Sequence, residues 1–156
     1  MDIEVLMGEL AVVKGEGNFT ASAVGSCLVA VLYDPKLKIG GMIHAMLPSP
    51  VTRDPSAPLR ASAQPDAKYV DAAIDLALEK MRSLGAQSFD IEAKLVGGAN
   101  MFGFSNSDIG QENVLSAKKK LKQEGIKLIG ESTGGSVGRS VEFSAATGIV
   151  TVKICF

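Results

Sequence analysis

The chain predicts an α+β fold. Three observations predict it. Apolar, β-branched runs cluster towards both ends of the sequence. Two stretches between them carry the three-to-four spacing of amphipathic helices. The element order is strands, helix, strand, helix, strands, which is not the strict alternation of a parallel α/β sheet. The 156 residues fit one domain, residues 1–156, long enough to bury a core without disulfides or metals.

Residues Ile3 to Lys14 alternate loosely and read as one or two short strands, with a turn at Gly15-Glu16-Gly17-Asn18. Ala23 to Tyr33 is apolar but interrupted by Gly25-Ser26, so it reads as a tight turn feeding a buried strand from Cys27 to Tyr33. Asp34-Pro35-Lys36 is a turn and Ile39 to Leu47 a second buried strand, so the pair forms a hairpin. His44 then lies on the strand beside that of Cys27. Pro48 to Pro65 holds five of the chain's six prolines, which excludes a helix or a central strand. It reads as a long mobile loop, either a lid over a Cys27–His44 site or plain disorder.

Asp66 to Leu84 is the clearest helix. Val70, Ala73, Ile74, Ala77, Leu78 and Met81 fall on one face, Pro65-Asp66 suits the start and Gly85 the stop. Phe89 to Val96 reads as a strand ending in Gly97-Gly98. A second helix runs from about Gln111 to Glu124, with Val114, Ala117 and Leu121 inward and Gly125 at its end. Three strands close the chain: Lys127 to Glu131, Arg139 to Ser144, and Ile149 to Phe156, the last two joined by Ala146-Thr147-Gly148.

Composition narrows the function. A net charge of −1 builds in no general attraction to nucleic acid or an anionic membrane. The lysines at 118, 119, 120 and 122 read as a solvated helix face, because no aromatic residues interleave them. No apolar run is long enough to span a bilayer, and Met1-Asp2-Ile3-Glu4 does not open a signal peptide. Two cysteines make no disulfide framework, so the expectation is a cytoplasmic protein with free thiols. One histidine and two cysteines without Cys-x-x-Cys spacing argue against a metal site. Gly134-Gly135-Ser136-Val137-Gly138 lacks the Gly-Lys-Ser/Thr ending of a phosphate loop and reads as a turn between strands.

His44 is the only histidine, so any thiol–imidazole chemistry must run through it. Cys27 follows two small residues at a strand edge, a geometry that exposes a thiol and turns backbone N–H groups towards a developing oxyanion. The competing reading of Cys27 is a small buried hydrophobe, and of His44 a satisfied, half-buried strand residue. Cys155, next to the last residue, reads as structural. Met101, Phe102 and Phe104, set among glycines, form either a packing element or an apolar contact surface.

Gly25-Ser26-Cys27, Asp34-Pro35 and His44-Ala45-Met46-Leu47-Pro48 together resemble the chemoreceptor glutamine deamidase family, CheD. The resemblance continues through Glu92-Ala93-Lys94, Gly97-Gly98-Ala99-Asn100-Met101-Phe102 and Ile109-Gly110-Gln111-Glu112-Asn113. It ends with Thr133-Gly134-Gly135 and Arg139-Ser140. It covers almost the whole chain in order. It implies layered mixed β-sheets with flanking helices, similar to the toxin-type cysteine deamidase fold. It implies a Cys27 nucleophile and a His44 base acting on glutamines of chemoreceptor cytoplasmic helices, with no cofactor and no metal. The same thioester cycle would hydrolyse a glutamyl methyl ester. A CheC-type phosphatase is the second implied partner, with the Met101–Phe104 loop contributing to helix recognition. The family's third position is a threonine where this chain has Ala21. The expectation is therefore that the Ala21 main-chain carbonyl orients His44, with Thr20 as its substitute. Two readings compete with the deamidase: a thiol hydrolase or transglutaminase with the same dyad, and a regulatory module that binds receptors or phosphatase without turnover.

Overall fold

The computed structural model describes residues 1–49, 67–101 and 108–155. Nine strands and two helices lie among them. In order they are β1 (Asp2–Glu4), β2 (Glu9–Lys14), β3 (Asn18–Val24), β4 (Leu28–Asp34), β5 (Ile39–Ala45), α1 (Val70–Ser83), β6 (Glu92–Gly97), α2 (Ile109–Gln123), β7 (Lys127–Thr133), β8 (Arg139–Ser144) and β9 (Val150–Ile154). They form a five-stranded sheet, β2-β5-β4-β6-β7, and a four-stranded sheet, β1-β3-β8-β9. Both are mixed: β6 and β7 run parallel, as do β1 and β3, and the other neighbours are antiparallel. The α+β expectation of mixed sheets with helices holds.

Alternation along β4 explains the layers. Leu28, Ala30 and Leu32 face the helices, joining Ile43, Leu95, Ile74, Leu78 and Leu121 in one core. Val29 and Val31 face the other way, joining Phe19, Met42, Val141 and Phe143 between the two sheets. A strand buried on both faces reads as a continuous apolar run, which is how Leu28 to Leu32 appears in the sequence. Each fully buried leucine or isoleucine here contributes about 1.5–3 kcal/mol of transfer free energy. Phe19 and Phe143, cross-strand partners in the four-stranded sheet, stack at 5.4 Å between ring centroids, and Tyr33 of the five-stranded sheet meets Phe143 edge-on at 5.6 Å, an aromatic contact between the sheets.

The six apolar residues predicted for the face of α1 are its buried ones. Gly85 ends α1 with a positive φ while Ala86 N–H returns to the Met81 carbonyl, and Gly125 and Ile126 end α2 in the same way. The lysines of α2 stay outward, Lys118 pairing with Glu131 and Lys120 with Asp75. Gly134-Gly135 is a turn between β7 and β8.

Most element ends shift by one or two residues, and three differences from expectation are larger. β3 is a strand where the sequence suggested only the end of a turn and the start of an apolar run. Helix α1 begins at Val70 rather than at Asp66, because Tyr69 is extended and bridges to Leu47. Phe89 belongs to a short 3-10 turn, Ser88–Asp90, and is 76% exposed, so β6 starts only at Glu92. Apart from Pro48 and Ser49, the proline-rich segment up to Asp66 lies outside the described residues, and so do Phe102 and Phe104. Among the described residues no helix is long and apolar enough to cross a membrane.

Candidate active site

Cys27 closes the Gly25-Ser26-Cys27 turn, one residue ahead of β4. His44 is the penultimate residue of β5. The hairpin register pairs Leu28 with Ala45 and Val29 with His44, so Cys27 and His44 sit at the same end of adjacent strands. The hairpin expected from the sequence thus sets the two residues on neighbouring strands at one end of the sheet. Val29 faces the layer between the sheets, and residues directly opposite in an antiparallel pair share a face, so the imidazole enters that layer too.

There His44 is held by the backbone. Its Nδ1 lies 3.0 Å from the carbonyl oxygen of Val5. A carbonyl only accepts, so Nδ1 carries the proton and Nε2 the lone pair. Nε2 is buried and has no hydrogen-bond partner among the described residues. Burial holds the His44 pKa below its ordinary 6.5, against a smaller upward pull from the Val5 carbonyl. Burial likewise raises the Cys27 thiol above its ordinary 9.0, partly offset by its own backbone amide. The resting pair is therefore a neutral thiol and a neutral imidazole.

The turn that carries Cys27 is braced from two sides. Gly98 N–H donates to the Cys27 carbonyl and Ala99 N–H to the Gly25 carbonyl, both at 2.9 Å. Opposite them, Asn113 of α2 donates its Nδ2 to the Ser26 carbonyl at 2.8 Å and to the Met46 carbonyl at 3.2 Å. One side-chain amide thus ties the cysteine turn to the end of the histidine strand. The braces need glycine. Gly97 and Gly98 have φ of +112° and +64°, and a Cβ on Gly97 would stand 2.4 Å from the Cys27 carbonyl oxygen. Met101 packs over Gly25, where an added Cβ would meet its Cγ at 3.3 Å.

A family model described as "CheD chemotactic sensory transduction" matches residues 46–154. The chain is 43% identical over 155 residues to the "Probable chemoreceptor glutamine deamidase CheD" of Pyrococcus abyssi, covering 97% of this chain and 91% of that protein. It is 40% identical over 155 residues to the "Chemoreceptor glutamine deamidase CheD" of Halalkalibacterium halodurans, covering 97% and 92%. The protein of the same name from Thermotoga maritima is 38% identical over 147 residues, covering 94% and 88%. The chain belongs to the CheD family.

Within this CheD-family chain one expectation changes. The carbonyl against His44 is that of Val5, where the sequence had pointed to Ala21 or Thr20. Ala21 is fully buried on β3, paired with Val141 of β8. The reason lies in the parallel pairing of β1 with β3. It brings the residue after β1 close to β3, and Val5 N–H donates to the Thr20 carbonyl at 2.8 Å while Val5 C=O meets His44. Thr20 therefore stands one link behind the histidine. Val5 leaves no signal in a sequence, because any residue supplies a carbonyl. Asn113 leaves one: it falls four residues before Ala117 on the apolar stripe of α2, a buried amide where a hydrophobe belongs.

Proposed function

We propose that this chain is a protein-glutamine deamidase that converts glutamine side chains of chemoreceptors to glutamate, with Cys27 as nucleophile and His44 as base. The observation that carries it is the histidine: Nδ1 committed to Val5, Nε2 free and buried, on the strand beside Cys27. The names of the full-length relatives supply the substrate class.

The cycle follows from these groups. His44 Nε2 takes the Cys27 proton as the sulfur attacks the carboxamide carbon. Backbone N–H groups of the Gly25–Cys27 turn hold the oxyanion. The imidazolium returns its proton to the nitrogen, the C–N bond breaks and ammonia leaves. Water, deprotonated by the same Nε2, attacks the thioester and releases glutamate and the free thiol. No step calls for a cofactor. A glutamyl methyl ester enters the same cycle with methanol as leaving group, so receptor methylesterase activity belongs to this reading. So do a cytoplasmic location and a CheC-type phosphatase partner.

The test is Gln-to-Glu conversion in purified receptor cytoplasmic fragments, mapped by mass spectrometry. Wild type converts specific glutamines, and Cys27→Ala and His44→Ala abolish conversion. Activity surviving Cys27→Ala overturns the mechanism. Tight receptor binding by an inactive wild type identifies a regulatory module, and amine incorporation in place of hydrolysis a transglutaminase.

A further inference from the structure

We propose that Asn113 is a positioning residue for the deamidation: its grip on the Ser26 carbonyl aims the Cys27 N–H, at the other end of the same peptide unit, at the oxyanion. The inference rests on the deamidase reading and adds to it the side chain that sets one oxyanion donor. Asn113 is fully buried on α2, in the stripe that holds Val114, Ala117 and Leu121. Its Nδ2 donates to the carbonyls of Ser26 and Met46, and its Oδ1 has no hydrogen-bond partner among the described residues. Two accepting carbonyls fix the orientation of the amide, because the flipped side chain would set Oδ1 against both. A buried amide with one end unpaired is a poor way to stabilise a helix face, where leucine would pack without that penalty. What the amide supplies, and leucine cannot, is a hold on two carbonyls.

The Ser26 carbonyl matters for what is attached to it. Among the described residues every peptide bond is trans, so the carbonyl of one residue and the N–H of the next point in opposite directions. With the Ser26 carbonyl drawn to Asn113, the Cys27 N–H points the other way. It does not join the ladder to β6. Gly98 N–H donates to the Cys27 carbonyl, and a continued ladder would return a bond from Cys27 N–H to the Gly98 carbonyl. That carbonyl lies against α2 instead, 2.5 Å from where a Cβ on Gly110 would stand. The Cys27 N–H turns to its own sulfur, where it favours the thiolate. As the C–S bond forms, charge collects on the carboxamide oxygen next to that sulfur, and a donor already aimed there needs no reorganisation. The second bond of Asn113, to Met46, ties the same amide to the chain two residues beyond His44. Oxyanion donor and base thus share one point of reference.

The test measures kcat and KM of the full chain on a purified receptor cytoplasmic fragment, with Gln-to-Glu conversion read by mass spectrometry. Asn113→Leu keeps a branched side chain and removes both bonds. Asn113→Ala removes them with the best helix former, and covers the case in which leucine crowds the turn. Each lowers kcat about a hundredfold with KM unchanged, as expected when an interaction made only in the transition state is lost. The acid limb of kcat/KM keeps its parental midpoint, because the bond between His44 and Val5 is untouched. Ala117→Gly, one helical turn along the same buried face, is the control: it destabilises α2 and leaves kcat at the parental value. Parental kcat in either folded Asn113 variant, a loss carried by KM, or an equal loss of kcat in Ala117→Gly overturns the positioning role. A wild type that converts no glutamine overturns the deamidase reading itself, whereas an active wild type with unimpaired Asn113 variants overturns only this inference.

Discussion

The two ring nitrogens of His44 have different tasks, and the difference predicts a pH profile. Nδ1–H is spent on Val5, so acid–base chemistry belongs to Nε2. Burial lowers the His44 pKa from 6.5 and raises that of Cys27 from 9.0. Both shifts oppose a resting thiolate–imidazolium pair. The acid limb of kcat/KM for a receptor fragment therefore has its midpoint below pH 6.5, where His44 takes up a proton and ceases to be a base. Alkylation of Cys27 by iodoacetamide is slow at neutral pH and climbs with pH towards a midpoint above pH 9. Peptide-level mass spectrometry keeps it apart from the exposed Cys155. Fast alkylation of Cys27 already at pH 5 would demonstrate a preformed thiolate and overturn the neutral pair.

At the scale of elements, the site is a joint where β4, β6 and α2 meet, and glycines set how closely they approach. A Cβ on Gly98 would stand 2.4 Å from Val114 Cγ2 and 2.8 Å from the Gly110 carbonyl oxygen. One on Gly110 would stand 2.4 Å from that of Ala99. Neither helix nor strand can yield without moving the backbone that holds Cys27. Gly98→Ala and Gly110→Ala are each expected to cost about 3 kcal/mol or more in denaturant unfolding, from overpacking and, at Gly98, positive φ as well. Gly134 has φ +77° with nothing within 4 Å, so Gly134→Ala costs only the left-handed conformation, about 1–2 kcal/mol. Equal losses at all three positions would refute the tight-approach account. This joint also shows what a sequence reveals. The face of α1 was legible because its apolar spacing is regular, and the β4–β5 hairpin because two buried runs flank a short polar turn. β3 was not, because its side chains are mostly small and an irregularity between Ala21 and Val24 breaks the period of two. Phe89 misled because it is apolar yet exposed. Val5 could not be found at all, since its role is a carbonyl delivered by a parallel pairing between segments distant along the chain.

For the whole molecule, His44 lies in the layer that joins the two sheets, and its protonation bears on global stability. Val5 follows the edge strand of one sheet and His44 stands on the other, so their bond crosses the layer. A proton on Nε2 would enter a buried position with no acceptor among the described residues. The folded state therefore resists protonation, and the folded pKa lies below the unfolded value of 6.5. The sign follows: the unfolded chain binds the proton first, so the contribution of neutral His44 is fully present above pH 6.5. It is lost as pH falls from there through the folded pKa, at up to about 1.4 kcal/mol per pH unit. Asparagine at position 44 keeps an N–H donor for Val5 but does not titrate. Carboxylates destabilise wild type and His44→Asn alike in acid, so the difference between the two isolates the imidazole. Unfolding free energies measured from pH 7.5 down to pH 4.5 are expected to fall more steeply in wild type below pH 6.5, with the two curves running parallel above it. Parallel curves over the whole range would mean that His44 is protonated as readily inside the protein as in the unfolded chain. The closed layer between the sheets could not then be what keeps the base neutral.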